Sequence, residues 1–175
     1  MTLTALNSIT LAFGADNLVL PDWSFPKLRF LRLFLLRESG VQSIIPLLRR
    51  QGPTLVGLQF RSAGRVESIA SILSYTTALQ TVVLDERDLS ALADTQISFP
   101  SINRIGIQLL EVNTADDAYN VPVITHSFNQ LFANNVLPSL KVVQMLAVQK
   151  EATLKDRWYE LLALCDARSV ALKGA

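Results

Sequence analysis

Cysteine and histidine are almost missing from this sequence, and the gap excludes several chemistries at once. Cys165 is the single cysteine in 175 residues, so neither an internal disulfide framework nor a cysteine-rich zinc site can be built. His126 is the single histidine, which removes His-pair metal motifs and leaves little for acid–base chemistry. Charge is scarce as well: 18% of residues carry it, and 16 Lys+Arg against 15 Asp+Glu leave a net +1. That balance makes no field to draw in nucleic acid or an anionic membrane. No stretch reaches the ~18 uninterrupted apolar residues of a membrane span, and the run 31–36 is broken by Arg32. A basic n-region and Asn-x-Ser/Thr sequons are both lacking, which points to a cytoplasmic or nuclear protein. With half the residues hydrophobic, a single domain over 1–175 with a sizeable core is expected.

What is present is a repeat. The spacing apolar, two others, apolar, one other, apolar recurs seven times. The anchors are Leu6, Ile9 and Leu11; Leu28, Leu31 and Leu33; Leu55, Leu58 and Phe60; Leu79, Val82 and Leu84. They continue as Ile102, Ile105 and Ile107; Leu140, Val143 and Met145; Ala167, Val170 and Leu172. The middle anchors lie 22, 27, 24, 23, 38 and 27 residues apart, and the long step carries an insertion at 111–122. That insertion reads either as a disordered loop or as a segment folded over one rim of the sheet. Four repeats enter through a proline two residues before the first anchor: Pro26, Pro53, Pro100 and Pro138. Proline cannot donate to a ladder but suits the turn just ahead of a strand.

Between these strands the period becomes helical. Val41, Ile44, Ile45, Leu47 and Leu48 predict a helix with Ser39 as N-cap, ending at Gly52 and strained by Pro46. Val66, Ile69, Ile72 and Leu73 predict a second, and the link 86–98 is expected to hold a single turn. Ile124, Phe128, Leu131 and Phe132 predict a helix starting at Pro122. Leu154, Trp158, Leu161, Leu162 and Cys165 predict the last and longest. The expected fold is therefore α/β: a leucine-rich-repeat solenoid of about seven irregular repeats, with a parallel concave sheet and convex helices.

The Leu-x-x-Leu-x-Leu phrases entered by Phe-Pro-x-Leu and Leu-Pro-x-Leu resemble the irregular leucine-rich repeats of fungal and plant F-box proteins. The resemblance covers 3–172. It implies a substrate-holding repeat region. In that family a separate N-terminal F-box binds the Skp1 adaptor of a Cullin–RING ubiquitin ligase. The chain departs from the pattern twice. No F-box precedes Leu3, and the asparagine that usually follows the last anchor is replaced by Gly14, Leu36, Ala63, Arg87 and Leu110. A fragment of a longer protein, lacking caps or an N-terminal F-box, is the expectation.

Strand alternation places the residues between anchors on the concave surface. The candidate protein-binding residues are Phe30, Arg32, Phe34, Gln59, Arg61, Asp85, Arg104, Gln108 and Gln144. Aromatic residues interleaved with arginine are what binding hot spots are made of. Arg61 and Asp85 are expected to face each other as a cross-strand pair. The bland alternative is that Phe30 and Phe34 pack under a loop. Catalytic signals stay at background, and no cofactor or metal is expected. His126 cannot face its neighbours Thr125 and Ser127 on one helix, Cys165 lies on an apolar stripe, and the acid pairs fall in turns. The basic residues are too few for a nucleic-acid stripe. The expected function is a non-enzymatic interaction scaffold. The alternative is an assembly protein that associates through its uncapped ends, which a charge such as Ile9→Lys would relieve.

Overall fold

The computed structural model describes residues 2–13, 24–35, 39–62, 69–109, 117–146 and 158–174. Each apolar phrase becomes a strand: β1 (Ser8–Phe13), β2 (Phe30–Leu35), β3 (Gly57–Ser62), β4 (Thr81–Asp85), β5 (Arg104–Gln108), β6 (Val142–Met145) and β7 (Ala171–Gly174). They form one seven-stranded sheet in sequential order, every neighbouring pair parallel. The described connections carry five α-helices: α1 (Ser39–Gln51), α2 (Ile69–Ser74), α3 (Glu86–Ala93), α4 (Asp117–Ala133) and α5 (Tyr159–Asp166).

The repeating anchors make the core. All fifteen anchors of the second to sixth repeats are buried, in one cluster with Ile44, Leu48, Ile72, Leu89, Leu92, Phe128 and Leu161 from the helices. The helices thus cover the anchor face, while the alternate residues of the strands, apart from the buried Gly57, Asp85 and Gly106, are exposed or half-buried on the other face where described. At the edge of the sheet Leu6, Ile9 and Leu11 are half-buried.

Two backbone devices recur. In the second to sixth repeats the amide of the first anchor closes a turn on the carbonyl three residues earlier: Leu28 on Phe25, Leu55 on Gly52, Leu79 on Thr76, Ile102 on Phe99 and Leu140 on Leu137. The four prolines occupy the second position of this turn, where a fixed φ near −65° is already correct. The repeat without proline makes the same turn from Thr76, whose hydroxyl donates to the Leu73 carbonyl (2.8 Å). Immediately before each of β1 to β5, one carbonyl then accepts from two successive amides of the next repeat. Asn7, Arg29, Val56, Gln80 and Asn103 all do this.

Several elements depart from the sequence expectation. The link 86–98 holds a helix of eight residues, not a single turn, because Asp85 caps it: Oδ1 accepts from the amides of Arg87 (3.0 Å) and Asp88 (2.9 Å). α4 begins at Asp117 and runs through Pro122, so part of the expected insertion is helix; 111–116 lie outside the described residues. α1 contains Ser39 and is followed by a 3-10 turn, Gly52–Thr54, that carries Pro53. Leu154 and Val66 lie outside the described residues, and α4 at 17 residues is the longest described helix. The seventh repeat is shifted by two. Leu172, not Val170, pairs with Val143, and Ala167 is exposed.

The shift follows from how α5 ends. Ser169 adopts φ 55°, and the Val170 amide reaches back to the Cys165 carbonyl (2.9 Å), closing a left-handed helix terminus. α4 ends the same way through Asn135 (φ 52°) and the bond from Val136 to Leu131 (3.0 Å). Of the positions where the asparagine ladder would stand, Gly14, Leu36, Ala63 and Leu110 lie outside the described residues.

Candidate functional site

The open sheet face brings together eight of the nine candidate residues. Parallel register aligns them in rows: Phe30 beside Gly57, Arg32 beside Gln59, and Phe34 beside Arg61. Phe30 is 50% exposed and lies over Gly57, where an added Cβ would meet its Cδ1 at 2.5 Å. The ring is therefore seated on the neighbouring strand and still half open to solvent. Arg32, Arg61 and Arg104 are exposed, and Phe34 and Gln144 are half-buried.

Gln59 and Gln108 meet across an intervening strand. Nε2 of Gln59 on β3 donates to Oε1 of Gln108 on β5 (3.0 Å), passing over β4. The floor beneath is low and apolar. Gly106 leaves room for Val83 and Leu146, whose nearest atoms stand 3.0 and 3.4 Å from where its Cβ would be. Leu146 is itself 37% exposed. Sequence reasoning placed both glutamines on this face but not their bond, which depends on how closely β3 and β5 approach. The seat of Phe30 on Gly57 had a legible signal, an aromatic residue and a glycine side by side in one row.

Asp85 is the correction. The row pattern placed it outward, facing Arg61, but its side chain is 1% exposed and turned to the start of α3. Its backbone keeps strand register with Gln108. The residue is the last of its strand and the cap of the helix that follows without a loop, and the capping demand overrides strand parity. β3–β4 pairing runs only from Gly57 to Gln59 on the β3 side, so Arg61 and Asp85 share no ladder rung. Lys173, by contrast, comes to stand beside Gln144 through the shift of β7.

The remaining reactive groups are placed apart from this face. Cys165 is fully buried, and desolvation, with a smaller push from Asp166, raises its thiol to about 12. His126 is exposed on α4, while the neighbouring Ser127 hydroxyl is buried and donates to the Val123 carbonyl (2.9 Å). Glu86 has its carboxyl raised above 4.5, first by burial and then by the charge of Asp85, with Arg87 opposing. Among the described residues no three His, Cys, Asp or Glu side chains are grouped to hold a metal ion. No described helix is long and apolar enough to cross a membrane.

Comparison with known proteins returned no matching family model, no matching curated protein and no matching solved structure.

Proposed function

We propose that the chain is a non-enzymatic protein-interaction scaffold, a leucine-rich-repeat solenoid whose open sheet face holds a protein partner. The observation that carries this reading is the recurring junction. Five successive repeats enter their strands through the same turn and the same paired bonds, so one face is packed by helices and the other is left as a regular array of side chains. Phe30 and Arg32 supply the hot-spot chemistry on that array. In keeping with the F-box resemblance, the scaffold would serve as the substrate-recognition repeats of a ubiquitin-ligase adaptor, with Skp1 and a Cullin engaged through an F-box elsewhere in the full protein.

Affinity capture with mass spectrometry tests this, comparing the parent chain with Phe30→Ala and Arg32→Ala. A protein retained by the parent and lost from both variants supports the reading. Retention unchanged in both places the binding surface elsewhere. The ligase role requires, in addition, that Skp1 and a Cullin accompany the natural full-length protein.

A second reading rests on the sheet edge. Leu6, Ile9 and Leu11 in the first repeat and Leu172 in the last are only half-buried, so the outer strands could join copies of the chain edge to edge. Concentration-dependent association abolished by Ile9→Lys would favour it.

A further inference from the structure

The burial of Asp85 changes the electrostatics of the open face. The seven strands contain four basic residues, Arg32, Arg61, Arg104 and Lys173, and one acid, Asp85. With Asp85 buried as the cap of α3, the described residues of this face present four cations and no exposed carboxylate. Just before the strands, Arg29 and Lys141 add two more exposed cations. Every other acid among the described residues, namely Glu86, Asp88, Asp94, Asp117, Glu160 and Asp166, sits in a helix or at a helix end. Among the described residues, then, the open face carries charge of one sign, while the helix side carries both, its acids standing with Arg49, Arg50, Arg87 and Arg168.

Resting on the docking reading above, we propose that the open face takes an acidic, extended polypeptide segment, with an apolar side chain of that segment set against Phe30. The cations are spread from β2 to β7, five strand spacings or about 24 Å. An extended chain covers that distance in roughly seven residues. Between the cations lies a low apolar floor, Val83, Val142 and Leu146, flanked by the Gln59–Gln108 pair. Carboxylates separated by apolar residues match this alternation. A polynucleotide, with a phosphate on every unit, would leave most of its charge over the apolar floor.

Selection of random peptides displayed against the folded chain tests the proposal without naming a ligand in advance. The expected winners are enriched in Asp and Glu with an aromatic or large aliphatic residue, and their affinity falls as salt is raised. Arg32→Gln and Arg104→Gln should each weaken them about two- to fivefold, the range of exposed ion pairs. Thermal melts of each variant verify that it is folded. Neutral or basic winners that lose binding with Phe30→Ala would overturn the charge inference and leave the docking face standing. An empty selection, or winners indifferent to every open-face substitution, would overturn both. Tighter binding of a labelled oligothymidylate than of any selected peptide would overturn it in favour of nucleic acid.

Discussion

Gly52 and Gly57 are both buried glycines with no room for a methyl group, yet different atoms oppose them. At Gly52 the obstacle is the Tyr75 backbone carbonyl, which cannot move without shifting the turn after α2. At Gly57 it is the ring of Phe30, a half-exposed side chain that can rotate away. Gly52→Ala is therefore expected to lower stability by about 1–3 kcal/mol. Gly57→Ala should lose well under about 1 kcal/mol and instead unseat Phe30. Urea melts of the two variants check the difference, and equal losses would show that the ring is held as rigidly as backbone. The sequence offered half of this contrast. Gly57 and Phe30 fall in one row of the repeat and so advertise their contact. Gly52 reads only as a helix terminator, because the carbonyl it faces comes from a different repeat.

Among the elements, α3 is the one whose ends and charge interact most. It starts directly after β4, so the last strand residue has to serve as its cap, and the next residue, Glu86, is drawn partly out of solvent beside that carboxylate. A carboxyl raised in the folded state binds its proton more tightly there than in the unfolded chain. Stability contributed by that proton is present at low pH and is lost as pH rises from 4.5 through the raised value. Glu86→Gln should remove this slope, leaving a flatter melting temperature across that window than the parent chain shows. A parent and variant with identical pH profiles would assign the slope to other groups. None of this was readable from spacing. Residues 86–98 lack a long helical period, and what makes a helix there is a cap, a feature of one side chain. α4 was misjudged for the opposite reason: Pro122 looked like a start, yet a helix can carry proline where its missing amide and its ring are accommodated.

Over the whole molecule, the anchor positions decide stability in proportion to how many neighbours flank them. Leu58 is enclosed by strands on both sides and by the helices, so Leu58→Ala is expected to lose about 2–5 kcal/mol. Ile9 on the half-buried first strand should lose no more than about 1 kcal/mol on the same substitution. Chemical denaturation of both variants measures the gradient. The α/β class, the parallel strands and the anchors of the second to sixth repeats were all legible, because a period kept over many residues outweighs any local exception. The seventh repeat was not, since Ala167, Val170 and Leu172 match the spacing while the left-handed turn at Ser169 moves the pairing by two. A shift of two preserves which face each strand side chain occupies, so Leu172 still stands beside an anchor, while Ala167 is lost from the core and all of β7, Lys173 included, meets different neighbours. The paired bonds at the strand starts give this architecture a further property. Each carbonyl from Asn7 to Asn103 fixes where the next strand begins, regardless of how many residues have been spent on the return path. The chain re-zeroes its alignment at each crossing from β1 to β6, so a length error in one of these connections is not handed on to the next. The step of 38 residues between Ile105 and Val143 already shows such forgiveness, since β5 and β6 still pair in the common register. New sequence spliced into that return should leave the opposite surface unaltered, which makes the helix side the place where such a molecule can grow.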